Sequence, residues 1–293
     1  MKSVECMELA GGLGNQLFQF TAGLARSVHQ RTSIAFDTSR IDHGVTKRSE
    51  NISSFVEIFS NQQVDFIFTE NKLPRIYDVA THRYNVVKRI DNLLRPSFNS
   101  TVTGFDEGIY THHRVAVIRG YFQSWKYLDY LNSQNVNLQL VSEESQGKLS
   151  KYSKVFDFDN DIAIHVRRGD YSRFKDSIGL LSSNYYLNAI NEIGVGSRVV
   201  IFSDNAEVSK EFPDSTQFCY TPELTEEKSI NSLYLMSNFR NLVISNSTFS
   251  WWAAALGRSD KFVVGPNKWF RGLEAPSDIS FPKWSSVESD WII

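Results

Sequence analysis

Two adjacent arginines, Arg167 and Arg168, close a short apolar run, Ile162-Ala163-Ile164-His165-Val166, and lead into Gly169-Asp170-Tyr171. A run of that length and branching, bounded by polar residues, predicts a buried strand. A guanidinium presents a planar fork of donors that matches phosphate in bidentate fashion. In an open α/β sheet, ligands sit outside the C-terminal strand ends. The pattern therefore points to a diphosphate site. The alternative is that both arginines only pair with nearby acids such as Asp170.

Two further clusters share this character. Ser203-Asp204-Asn205 follows the apolar run Arg198-Val199-Val200-Ile201-Phe202, and Asn246-Ser247-Thr248-Phe249-Ser250 follows Leu242-Val243-Ile244-Ser245. The second of these opens a helical pattern. The N–H groups of a helix's first turn, with the hydroxyls of Ser247, Thr248 and Ser250, form a suitable phosphate cradle. Asp204 is placed to hold a base or a ribose. Taken singly, Asp204-Asn205 and Ser247-Thr248 are also ordinary helix caps.

The elements that must position these clusters alternate. After the strand at 162–166 comes a polar loop and a helix predicted over Asn184–Ile193 with Ser183 as its N-cap. Strands follow at 198–202, 217–219, 242–245 and 261–266. A helix capped by Thr225 runs through Met236, and another carries Trp251 and Trp252 and ends at Gly257. Such alternation predicts a parallel, doubly wound sheet.

The N-terminal part begins the same way. A strand at Val4–Leu9 runs into Gly11-Gly12-Leu13-Gly14-Asn15-Gln16, then a helix with Leu17, Phe20, Leu24 and Val28 on one face, then a strand at 34–37. The glycines and Asp37 approximate a dinucleotide fingerprint, but Leu17 stands where a third glycine is needed. They also suit a plain tight turn, or close approach of a substrate to the backbone with Asn15 and Gln16 presented to it. Residues 40–155 show no periodicity that orders their strands. Their aromatic cluster, Tyr121–Trp125, suits either sugar stacking or core packing. His112-His113 lacks the companions of a metal set.

The chain has 293 residues, 41% of them hydrophobic, and a net charge of −2. That suits a globular enzyme and argues against a general affinity for nucleic acid. Two cysteines, Cys6 and Cys219, exclude a disulfide framework or a zinc site built on cysteine pairs and make a reducing compartment the expectation. The first residues lack the apolar core of a signal peptide, and no stretch nears the ~20 apolar residues of a membrane span. The three Asn-X-Ser/Thr sequons, at Asn51, Asn99 and Asn246, are expected to carry no glycan. The expected location is cytoplasmic, peripheral at the inner membrane if the acceptor is lipid-linked.

Three segments together, Gly11-Gly12-Leu13-Gly14-Asn15-Gln16-Leu17-Phe18-Gln19, His165-Val166-Arg167-Arg168-Gly169-Asp170-Tyr171 and Asn246-Ser247-Thr248-Phe249-Ser250-Trp251-Trp252-Ala253-Ala254, strongly resemble the bacterial α-1,2-fucosyltransferases of glycosyltransferase family 11. The resemblance implies a GT-B-like α/β fold of two Rossmann-like domains facing a cleft. The expected division is 1–155 for an acceptor-side domain and 156–275 for the nucleotide-sugar domain, with a tail, 276–293, packing back on the first. It also implies GDP-β-L-fucose as donor, inversion, a galactoside acceptor, and no cofactor or metal.

Carried over by position, Arg167 would stabilise the leaving diphosphate, and Arg168 and Asp170 would shape the same pocket. His165 would help place the nucleotide, Asn15 would approach from the first domain, and Ser247, Thr248 and Phe249 would line the pyrophosphate. Ser203, Asp204 and Asn246 complete the expected donor set. Asp170 and Asp176 are the candidate bases. One departure stands out: where the family often has an acid before Leu233-Tyr234-Leu235-Met236, this chain has Ser232, preceded by Asn231. A hydroxyl reads guanine less well than a carboxylate. The competing readings are a transferase of the same architecture using another nucleotide sugar, a silent glycan-binding protein, and a dehydrogenase resting on the glycines and Asp37.

Overall fold

A computed structural model describes residues 5–39, 41, 52–54, 56–60, 64–69, 96–113, 115–140, 143–194, 198–213, 218–220 and 229–292. The expected Thr225 cap lies outside them. The described residues fall into two units, one up to Asn137 and one from Leu138 onward that also takes in Val56 and Glu57.

In the first unit the strands are β1 (Glu5–Glu8), β2 (Ile34–Asp37), β4 (Phe66–Thr69), β5 (Ser97–Asn99) and β6 (Val117–Arg119). They form one sheet in the order β4-β2-β1-β6-β5, and every pairing is parallel. β3 (Val56–Ser60) and β7 (Val136–Leu140) lie outside this sheet. Helix α1 (Leu13–Gln30) crosses from β1 to β2 and is buried from Leu13 to Ser27 apart from Asn15. It lies close enough to the sheet that a Cβ on Gly23 would meet the Phe36 ring at 2.7 Å. The cation this burial traps, Arg26, is neutralised by a two-pronged pair to Glu5, with Nε–Oε2 and Nη2–Oε1 both 2.6 Å. Short α2 (Gly108–Thr111) and α3 (Trp125–Ser133) complete the unit, and Ser124 Oγ caps α3 at the Lys126 amide.

The second sheet runs β10-β9-β8-β11-β12-β13, again all parallel: β8 (Ile162–Val166), β9 (Val199–Ser203), β10 (Phe218–Tyr220), β11 (Asn241–Val243), β12 (Phe262–Pro266) and β13 (Ser285–Val287). β8 and β9 are buried at every residue, which explains why they are continuously apolar rather than alternating. The helices are α4 (Glu143–Tyr152), α5 (Ser183–Ile193), α6 (Ser229–Ser237) and α7 (Thr248–Ala255).

Several expectations change. The units divide at Asn137 rather than 155, because α4 packs on α6 of the second unit. Ser145 Oγ donates to Asn231 Oδ1 at 2.8 Å, and Asn231 Nδ2 donates to Glu144 Oε1 at 3.1 Å. Ser182, not Ser183, precedes α5, and its hydroxyl donates to Asp290 instead of capping the helix. The described part of the tail packs within its own unit. Residues 285–287 extend the second sheet, Trp291 bridges Leu181, and Trp251 Nε1 donates to the Ile279 carbonyl at 2.5 Å. At the end of α7, Gly257 (φ +83°) has no room for a Cβ, which would lie 2.4 Å from the Ser237 carbonyl oxygen. The Lys261 ammonium donates to the carbonyls of Ala253, Ala254 and Leu256, satisfying the orphan acceptors of that helix end.

Candidate active site at the β8 edge

The chain order of the second sheet reverses direction at β8. β9 and β10 lie to one side and β11 to β13 to the other, so β8 and β11 flank the switch point. Ligand crevices form at such points, outside the C-terminal strand ends. Arg167 and Arg168 leave β8 there, and Ser245 and Asn246 leave β11.

The two arginines have different surroundings. Arg168 is buried, and its Nε donates to Glu211 Oε1 at 2.9 Å and Oε2 at 3.2 Å. Its task in the structure is an internal ion pair. Arg167 keeps a quarter of its side chain exposed, 25%. Its Nη1 meets Asp204 Oδ2 at 2.8 Å, and its guanidinium lies 5.0 Å from the Tyr171 ring centroid. Asp204 and Glu211, both distant in sequence, thus pair with the two arginines.

Asp204 also shapes the loop after β8. Its Oδ1 accepts the amides of Arg168 at 2.8 Å and Gly169 at 3.2 Å. A Cβ on Gly169 would lie 2.2 Å from Asp204 Oδ2, so only glycine fits between loop and carboxylate. Ser203 is buried, and its hydroxyl donates to the Val166 carbonyl at 2.8 Å, a cross-strand tie rather than an open ligand group.

His165 lies beneath the arginines. It is fully buried, with Nδ1 2.9 Å from Ser245 Oγ and its ring 5.2 Å from that of Phe249. Burial, followed by the charge of Arg167, lowers its pKa to about 3. The imidazole is therefore neutral at physiological pH. Ser245 Oγ lies 3.3 Å from Ser250 Oγ, and Ser250 Oγ also reaches the Ser247 carbonyl at 3.1 Å. This chain of contacts fixes the start of α7 against β8. Ser247 makes no side-chain cap, leaving the first-turn amides beside half-buried Thr248 and Phe249 uncapped by it. Asn246 is buried and anchors the opposite wall: its Nδ2 donates to the carbonyls of Ile178 at 3.1 Å and Gly179 at 3.2 Å. Its own carbonyl accepts from the Tyr171 hydroxyl at 3.3 Å.

The fold therefore gathers His165, Arg167, Arg168, Ser203, Asp204, Asn246, Ser247, Thr248 and Phe249 along one edge. Ser232 is buried on α6, which packs against α7. Asp176 is exposed in the turn after the loop, and the side chain of Asp170 is outside the described residues. Asn15 belongs to the first unit. Sequence reasoning missed Glu211, Ser245 and Tyr171. Tyr171 could have been found, since it sits four residues after Arg167 within the same motif. Glu211 lies 43 residues from its partner and leaves no local signal.

Residues 86–288 match the model of the family described as glycosyl transferase family 11. The match covers more than half of the chain, and the chain belongs to that family; it is a glycosyltransferase. Over 95% of this chain and 99% of the relative, it is 29% identical to the O-antigen biosynthesis glycosyltransferase WbnK of Escherichia coli. Over 98% and 99%, it is 26% identical to an alpha-1,2-colitosyltransferase of the same organism. Among solved structures, POFUT1 in complex with GDP superposes with a TM-score of 0.53 at 15% identity, covering 90% of this chain and 98% of that one. NodZ alpha-1,6-fucosyltransferase co-crystallized with GDP gives 0.51 at 15% identity, covering 87% and 92%. These likenesses place the fold in the GT-B-like class of two Rossmann-like units. Among the described residues no helix is long and apolar enough to cross a membrane.

Proposed function

We propose that this chain transfers L-fucose from GDP-β-L-fucose, with inversion, to the 2-hydroxyl of a terminal β-galactoside in an O-antigen-type surface glycan. The observation that carries the reading is Arg167: a partly exposed guanidinium at the β8 switch point, on the strand next to the one that leads into α7. In the reaction the bond from the sugar C1 to the diphosphate breaks, and negative charge grows on the leaving GDP. Arg167 exchanges Asp204 for that phosphate, and the first turn of α7 takes another of its oxygens. A positive charge already in place acts more strongly on the transition state than on the ground state. The acceptor oxygen attacks the opposite face of C1, turning a β donor into an α product. Its proton goes to a carboxylate of the following loop, Asp170 or Asp176. Guanidinium and helix terminus supply the positive charge, so no metal or other cofactor is required.

Neutral His165 takes no charge in this scheme. It supports the nucleotide pocket by holding α7 through Ser245. Ser203, Asp204 and Asn246 build the walls, and Ser232 leaves guanine to be read without the usual acid. The names of the relatives support an O-antigen role and the α-1,2 linkage. The acceptor is carried on lipid, and the enzyme works in the cytoplasm at the inner membrane face.

The colitosyltransferase relative favours one second reading, a donor of the same type lacking the sugar 3-hydroxyl. A site built to hydrogen-bond that hydroxyl rejects the deoxy donor strongly, whereas an apolar one discriminates little. The test is GDP release from GDP-fucose, GDP-colitose and other nucleotide sugars, with a β-galactoside acceptor and a chelator present, and with the linkage read by NMR. Acceptor-dependent turnover of GDP-fucose to an α-1,2 product supports the proposal. Turnover confined to a different nucleotide sugar overturns it.

A further inference from the structure

We propose that Gln123 is a positioning residue that sets the side-chain amide of Asn15, holding its NH2 group toward an oxygen of the sugar substrate. The inference rests on the transferase reading above but is read from the first unit alone.

That sheet has its own switch point. β2 and β4 lie on one side of β1, and β6 and β5 on the other, so the loops leaving β1 and β6 are neighbours at one edge. Buried glutamines on α1 tie them together. Gln19 Oε1 accepts the Ala10 amide at 2.8 Å, and its Nε2 donates to the Gly120 carbonyl at 3.0 Å. Gln16 Nε2 donates to the Gly11 carbonyl at 3.0 Å.

The loop after β6 is held in a conformation few sequences adopt. At Gly120 (φ +156°) an added Cβ would lie 2.8 Å from both Ser100 Cβ and the Phe122 ring. Phe122 itself sits at φ +54°, in the left-handed region that is rare for a bulky aromatic, with its ring wholly buried. Strain of this kind persists only where the surroundings enforce it. Its immediate consequence is the placement of Gln123, whose backbone amide donates to the Thr103 carbonyl at 2.6 Å.

Gln123 is buried, and its Nε2 donates to Asn15 Oδ1 at 3.1 Å. An NH2 group can only donate. In this arrangement the Asn15 carbonyl faces Gln123, and its own NH2 turns the other way, over the bare face of Gly11, where an added Cβ would lie 2.9 Å from Nδ2. Among the described residues no acceptor meets that NH2. A strained loop and three buried amides thus orient one half-exposed amide whose donors remain for a ligand. The matching ligand chemistry is a hydroxyl or ring oxygen of a sugar.

The test compares Gln123→Met, which keeps volume but loses the donor, with Asn15→Ala and the double variant. Gln123→Met is expected to lower kcat about tenfold, as for one oriented hydrogen bond, and to have no further effect in the Asn15→Ala background. In protein labelled at asparagine, the Asn15 NH2 resonances, assigned by their loss in Asn15→Ala, are expected to move in Gln123→Met. Gln123→Glu is an isosteric second variant that replaces the donor with an acceptor and should invert the same amide. Additive losses in the double variant, or an Asn15 resonance unmoved in both Gln123 variants, overturn the inference. If the wild type turns over no nucleotide sugar, the transferase reading fails, and the resonance measurement still decides the positioning role.

Discussion

The two sheet edges are built from opposite materials. At the β8 edge the polar groups are ionic: Arg167 with Asp204, and Arg168 with Glu211. At the β1 edge they are amides, Asn15, Gln16, Gln19 and Gln123, above a Glu8–Arg119 pair at 2.6 Å that neutralises itself. Both edges lie at a switch point of a parallel sheet, so topology alone does not explain the difference. The proposed reaction does: in it a leaving diphosphate changes its charge and would be met by charge, whereas a sugar hydroxyl stays neutral and would be met by oriented dipoles.

The sharpest way to break this contrast is Arg167→Ala. Losing an electrostatic donor at a developing oxyanion lowers kcat about 10²–10³-fold. The thermal midpoint should barely move, because the side chain is partly exposed. Arg167→Lys should recover only part, since a point charge cannot reproduce the fork. A kcat within tenfold of wild type for Arg167→Ala would remove the charged edge from the chemistry.

Next in size is Glu211→Ala, which leaves the Arg168 guanidinium buried without its carboxylate. Breaking a fully buried pair costs about 3–5 kcal/mol. Glu211 is 31% exposed, so about 2 kcal/mol is expected here, read from urea unfolding. Arg168→Met in the same background should restore much of it.

The third effect is pH dependence. His165 has a folded pKa depressed to about 3, below the 6.5 of the ordinary side chain. Between those values the unfolded chain binds a proton that the folded chain does not. His165 therefore leaves stability intact above pH 6.5 and erodes it as pH falls toward 3. From pH 6.5 to 5 the loss should be about 1–2 kcal/mol, seen as a falling thermal midpoint. His165→Gln should flatten that part of the profile. Smallest is Ser245→Ala, which removes the Nδ1 partner of His165 and should cost about 1 kcal/mol, with a modest rise in KM for the donor as α7 loosens.

Much of the second unit was legible in advance. Its strands are short apolar runs punctuated by polar clusters, and each cluster proved to lie at a strand's C-terminal end. The first unit was legible only at its start, through β1, α1 and β2. Strands β4, β5 and β6 are three or four residues long and lack a period, so their place in the sheet is fixed by pairing with strands distant in sequence. The tail misled because its apolar residues, such as Trp291 and Ile292, show that it must be buried without saying against what.

The sequence by itself determined the alternation of strands and helices, the three motifs and the family they define, because these depend on residues close together in the chain. Only the tertiary structure decided which arginine is available. Arg167 and Arg168 are adjacent and chemically identical, yet their side chains leave the strand in opposite directions. One goes into the interior to meet Glu211, 43 residues on, and the other to the open edge beside Asp204. It likewise decided that Gln123 meets Asn15 across 108 residues of chain. Such pairings depend on which loops the sheet order brings together, and no local pattern encodes that order.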